Sequence, residues 1–146
     1  MLIANLFMSL DKDHRDALTW FRSQAGEEIG WPTPLGGTHL ANKAKGIHKP
    51  AGWKYALSIR QSMSGPYEDV ITHLSNGAWH IRYAQEGRDR SYFTNQALEA
   101  CMRDSVPVAV LVQVKAKPSP RYRVLGLGQV LDWNEGVFNI RQFPAE

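Results

Sequence analysis

Four side chains in one short stretch of this sequence could do chemistry together. Tyr67, Trp79 and Tyr83 offer flat aromatic faces, and Asp69 offers a carboxylate. Aromatic faces can repay the stacking that a planar ring loses when it leaves a stack. A carboxylate is the natural acceptor for an exocyclic amino group such as N4 of cytosine. The set therefore suits the capture of an unstacked base, with Tyr67 and Tyr83 as the two faces and Trp79, on the strand face of Tyr83, as a third wall. The plain alternative for these aromatics is core packing, the usual fate of aromatics in strands. Glu68 and Asp69 are neighbours rather than a facing pair, so they do not supply the two flanking carboxyls of acid–base hydrolysis.

Other chemistries find little support. There is no phosphate-cradling glycine loop, no Gly-x-Ser-x-Gly and no His-Glu-x-x-His. Gly126-x-Gly128 sits inside a strand pattern, where glycine marks a bend or bulge. His14, His39, His48, His73 and His80 are not paired at metal-ligand spacing. The lone Cys101 lies in a helical pattern and reads as a small buried apolar residue. Asp104 followed by Gln113-x-Lys115 is similar to the acid…acid-x-Lys arrangement of metal-dependent nucleases. Gln113, however, replaces a carboxylate that such a site needs for its metal. A strand end with exposed Lys115 and Lys117 is the better reading. No catalytic residue, metal or cofactor is expected.

The elements that must position the aromatic set can be read from periodicity and turn residues. Residues 11–25 have helical spacing, with Leu18, Phe21 and Ala25 on one face, Ala17 beside them, and Asp13, His14 and Arg15 on the wet side. Ser9 or Asp11 can cap this helix and Gly26 can end it. Residues 30–53 are rich in glycine and proline and form an irregular region. A strand follows over 54–61, then a turn at Ser64-Gly65-Pro66. Asn76-Gly77 is a tight-turn signal before a strand over 79–83, which sends Trp79, Ile81 and Tyr83 to one face and His80 and Arg82 to the other. Thr94-Asn95 reads as the cap of a helix over 96–103. The nearly continuous apolar run 106–115 should be a central strand. Segments 122–133 and 137–141 read as a closing pair joined by Asn134-Glu135-Gly136. Many short strands with two helices predict an α+β domain built on a curled sheet or small barrel.

Bulk properties agree with one domain spanning 1–146. Apolar residues at 43% and charged residues at 21% exclude disorder as the main state. Lysine and arginine exceed acids by only 17 to 14, so placement matters more than net charge. The apolar start lacks a positive flank and soon meets Asp11-Lys12-Asp13, so it reads as packed chain rather than a signal peptide. No transmembrane run is present, no membrane partner is expected, and the single cysteine fits a reducing cytoplasm.

In order along the chain, Gly46-Ile47-His48, Tyr55-Ala56-Leu57, Ser64-Gly65-Pro66-Tyr67-Glu68-Asp69-Val70, Tyr83 ahead of Gly87, Thr94-Asn95-Gln96-Ala97-Leu98, Val106-Pro107-Val108 and Tyr122 to Trp133 form a succession of short motifs. This succession, over about residues 46–141, resembles the SRA (SET- and RING-associated) domain, a reader of 5-methylcytosine in DNA. It is similar in particular to the bacterial SRA-like type fused to HNH nucleases in modification-dependent restriction. The resemblance implies a PUA-like curled β-barrel with flanking helices. It also implies that a modified cytosine, 5-methyl or 5-hydroxymethyl, is flipped between Tyr67 and Tyr83. Asp69 or Glu68 then accepts from the amino group, and backbone at Ser64 and Gly65 lines the wall near the 5-substituent. The chain departs from the family in having Arg123-Val124 after Tyr122, one acid fewer after Tyr67, and a short loop between Tyr83 and Thr94.

The implied partner is double-stranded DNA carrying the modified base, with an HNH-type nuclease domain as a possible fused or separate companion. Lys43, Lys45 and Lys49 in the first loop, Arg88 and Arg90 after Tyr83, and Lys115, Lys117 and Arg121 around the proline loop are the candidate phosphate contacts. The alternative function is a PUA- or ASCH-like RNA-binding module, which would share the barrel and the basic surface.

Overall fold

The structure, a computed structural model, describes residues 9–63 and 70–143. Among these, the elements are α1 (Lys12–Ser23), β1 (Glu28–Ile29), β2 (Ile47–His48), β3 (Ser58–Gln61), β4 (Val70–His73), β5 (Trp79–Ala84), α2 (Phe93–Asp104), β6 (Val108–Lys115), β7 (Arg121–Asn134) and β8 (Val137–Gln142). The strands form one mixed sheet in the order β2-β3-β6-β7-β8-β5-β4, with β1 also paired to β7. Among the described strands, only β3 and β6 run parallel. The fold is α+β as expected, but no ladder joins the end strands β2 and β4, so the sheet is not a closed barrel.

β6 is central because its first half, Val108 to Leu111, has no polar face to offer solvent. Val108 and Val110 enter one core with Ala97, Leu98 and Cys101 of α2 and with Ile81, Phe138 and Ile140. Ala109 and Leu111 enter a second core with Ala17, Leu18 and Phe21 of α1 and with Tyr122 and Val124. The helices thus serve the two faces of one sheet, which is why the run 108–111 is continuously apolar. Opposite it, the register of β7 slips between Val110 and Leu111, and Gly126 there has φ of 125°. This is the bend expected of that glycine. Cys101 is buried and its thiol lies 3.4 Å from the carbonyl of Ala56, with burial pushing the thiol up to about 12.

Several local expectations are corrected. His14 is buried rather than wet, its ring 4.5 Å from that of Trp53. α2 begins at Phe93 and has no side-chain cap. Asn95 instead reaches back, accepting from the amide of Glu86 (2.8 Å) and donating to the carbonyls of Glu86 (2.8 Å) and Asp89 (3.0 Å). The first core strand covers only Ser58–Gln61, and β4 is an additional short edge strand.

Candidate nucleic-acid interface

β5 carries two of the four candidate aromatics, and the structure gives them different neighbours. Trp79 is 5% exposed. Its indole N–H donates to the carbonyl of Leu125 at 3.2 Å. A Cβ placed on Gly128 would touch the Trp79 ring tip at 3.1 Å, between methyls of Ile140 and Val110. Trp79, expected as a third pocket wall, fills core space opposite a glycine.

Tyr83 is also 5% exposed and belongs to the same core cluster, but its hydroxyl ends at a seam. Its hydroxyl donates to the carbonyl of Arg60 in β3 at 3.3 Å, although β3 and β5 are far apart in sheet order. The sheet must curl to bring them together. Gly46 makes that approach possible, since a Cβ there would collide with the Tyr83 hydroxyl. The amide of Arg60 donates to the carbonyl of Gly46 at 2.8 Å, so Gly46, Arg60 and Tyr83 meet at one point. The amide of Ile47 donates to the Glu86 carboxylate at 3.1 Å, closing the exposed edge of β2 with a side chain instead of a strand.

The described ends of the expected pocket loop lie at the same seam. The amide of Met63 donates to Gln113 Oε1 at 3.1 Å, just beyond β3. Val70 pairs with Arg82, next to Tyr83. Ser64, Gly65, Tyr67, Glu68 and Asp69 themselves lie outside the described residues.

The candidate cations separate into two groups. Lys43 and Arg60 both stand over Trp31, each 5.6 Å from the ring centroid, and Trp31 packs edge-on against Tyr122. The Arg121 guanidinium lies beside Gly30, next to Trp31, and Arg121 pairs with Lys115 across the β6–β7 ladder, with Lys117 two residues further on. Lys45, two residues after Lys43, reaches the hydroxyl of Tyr92 at 2.6 Å and stands 3.8 Å from Glu86. Arg88 is exposed in the loop between Glu86 and Asp89 that Asn95 braces. Lys49 and Arg90 fall elsewhere. Lys49 follows β2 on the side away from Gly46, and Arg90 is bound to Glu99 at 2.6 Å and stacked 4.0 Å over Trp133.

Not every cation on the rim is free to meet a ligand. Glu28 engages Arg121 at 3.1 Å and Arg123 at 3.8 Å, and Glu86 stands near Lys45. Trp31, Gly46 and Arg60 escaped the reading of spacing. The one available signal was Gly46 in the Gly46-Ile47-His48 motif, whose glycine the phenol requires.

The nuclease-like set is not assembled. The Asp104 carboxylate accepts from Tyr55 (2.6 Å) and Lys54 (3.0 Å), which hold it below the usual carboxylate range. It precedes β6, while Lys115 ends that strand roughly 20 Å away at strand rise. No group of three or more His, Cys, Asp or Glu side chains gathers among the described residues. No helix among them is long and apolar enough to cross a membrane.

No family model matches the chain. Among solved structures, the chain is similar to the SRA domain of SUVH5 in its crystal structure with fully methylated CG DNA. The TM-score is 0.51, with 24% identity, over 70% of this chain and 76% of that one. The fold is that of an SRA domain. The SRA fold thus supplies the frame for the seam at Tyr83 and for the basic rim beside it.

Proposed function

We propose that this chain reads modified cytosine in duplex DNA by taking the base out of the helix. Tyr83 supplies one stacking face and Tyr67 the other. Asp69, or Glu68 beside it, accepts from the cytosine amino group, and backbone at Ser64 and Gly65 faces the 5-substituent, methyl or hydroxymethyl. Lys43, Arg88, Lys115 and Lys117 meet phosphates. Lys45 and Arg121 contribute less because acids already hold them, and Lys49 and Arg90 are left out. The chain itself performs no catalysis. In a modification-dependent restriction system, an HNH-type nuclease domain would cut the DNA that this domain marks.

The reading is carried by one observation, the SRA fold with Tyr83 at a seam held by side chains. Ladder-paired strands cannot part without losing several hydrogen bonds. The seam at Tyr83 is bridged by side-chain bonds, among them the phenol–carbonyl bond to Arg60 and the Ile47 amide to Glu86, each worth about 1 kcal/mol net. A base stacked on an aromatic ring gains roughly 1–3 kcal/mol. Stacking on a base offsets part of the cost of uncovering Tyr83, whereas the Trp79 side is closed by continuous ladders. The same fold in the methylated-CG complex of SUVH5 favours duplex DNA over the RNA-binding alternative.

The test is a binding titration of the full chain with duplexes that differ at one cytosine: plain, 5-methyl or 5-hydroxymethyl. At least one modified duplex is expected to bind about tenfold tighter than plain DNA, a difference of roughly 1.4 kcal/mol. Equal affinity for all three rejects the reading, and preference for structured RNA transfers it to the alternative.

A further inference from the structure

We infer that Lys43 and Arg60, mounted on Trp31, form a preorganised cradle for the DNA sugar–phosphate backbone. Its partner rests on the DNA-reading proposal; its geometry does not. Arg60 is partly buried, and every bond it makes goes to a neutral acceptor. Nη2 donates to the carbonyls of Asn42 (3.1 Å) and Lys43 (3.3 Å), and Nη1 to the hydroxyl of Ser62 (3.2 Å). Its Nε is enclosed without a partner. A guanidinium has five N–H donors, so one Nη1 hydrogen is not used by these three bonds. Lys43 is exposed, with its ammonium over the same indole. Neither cation forms an ion pair among the described residues, while their rim neighbours Lys45, Arg121 and Arg123 stand beside Glu86 or Glu28.

The ligand class follows from this arrangement. The indole already serves two cations, so it is a mount for charge rather than a platform for a base. Two positive groups held beside it, without an acidic partner among the described residues, favour an anion. The rim continues through Arg121 to Lys115 and Lys117, a line of charge longer than a small anion requires and suited to a polyanionic strand. The Arg60 carbonyl also receives the Tyr83 hydroxyl, so one residue touches both the backbone site and the base pocket. Lys supplies a mobile charge, whereas Arg60 is oriented before DNA arrives and loses less freedom on binding.

The experiment measures the affinity of the full chain for modified and plain duplexes across a potassium chloride series. It uses wild type, Lys43→Gln, Arg60→Gln and, as an off-rim control, Lys49→Gln. Each cradle variant should weaken both duplexes by roughly three- to tenfold and lower the salt slope by about 0.9, the value of one phosphate contact. Lys49→Gln should match wild type. Thermal melting identifies a variant that fails to fold, and Lys43→Gln, at an exposed position, then carries the test. Unchanged salt slopes in folded cradle variants overturn the cradle. If wild type binds modified and plain duplexes equally while the cradle variants still lose slope, the cradle stands and the base-reading proposal fails.

Discussion

Trp79 and Tyr83 lie on the same face of one strand and are equally buried, yet they belong to different kinds of structure. Trp79 sits where β5, β8, β7 and β6 are joined by continuous ladders, and its ring fills the space left by Gly128. Tyr83 sits where the curled sheet meets itself without a ladder, and side-chain bonds, including its own to the Arg60 carbonyl over Gly46, span the gap. Burial alone does not distinguish a structural aromatic from one that can meet a ligand. The number of bonds that must break to expose it does.

The sharpest way to break this contrast is truncation. Trp79→Ala should cost about 3–5 kcal/mol in chemical denaturation, as for large aromatic deletions in cores. Tyr83→Phe should cost only about 1 kcal/mol, because it removes the hydroxyl that bonds the Arg60 carbonyl and leaves the ring. Comparable losses for the two would erase the distinction between core and seam.

Acid probes the packed side separately. Burial against Trp53 and Tyr55 lowers His14 to about 4. The unfolded chain takes up a proton near pH 6.5, while the folded chain keeps the ring neutral. Stability should therefore be flat above pH 6.5 and decline as pH falls towards 4, by up to about 3 kcal/mol. In His14→Leu, urea denaturation at a series of pH values should show that component removed.

A smaller effect sharpens the seam itself. Gly46→Ala drives a methyl into the Tyr83 hydroxyl and to within 3.2 Å of the Arg60 carbonyl. It should cost about 1–3 kcal/mol. Adding Tyr83→Phe should recover part of that loss, because the hydroxyl is what the methyl meets. A double-mutant cycle by thermal or urea unfolding measures the recovery, and strict additivity would mean the two groups do not share the seam.

Much of this frame was legible from spacing. The run Val108-Ala109-Val110-Leu111 announced a strand buried on both faces, and Trp79-His80-Ile81-Arg82-Tyr83 announced one buried face. Gly126 announced the bend in β7. What spacing could not show was contact made across the chain. His14 seemed wet beside Asp13 and Arg15, but Trp53 and Tyr55 arrive from a distant loop to cover it. Asn95 had the type and place of a helix cap, yet its amide reaches back to Glu86 and Asp89. Arg60 alternated outward in its strand, and only folding brought the carbonyls of Asn42 and Lys43 and the ring of Trp31 to it. β4 was missed because Val70-Ile71-Thr72-His73 is short and lies at the sheet edge. The aromatic set was legible as residue types, but which ring was core and which lay at the seam depended on Gly128 and Gly46.

The claim beneath all of this is that a base leaves the helix at the Tyr83 seam. It is tested most directly with 2-aminopurine placed beside a modified cytosine in duplex DNA, whose fluorescence rises when its neighbour unstacks. Binding of the full chain at saturating concentration should raise the signal for a modified duplex and leave the plain duplex unchanged. Saturated binding to both 5-methyl and 5-hydroxymethyl duplexes with no change in fluorescence would contradict the account.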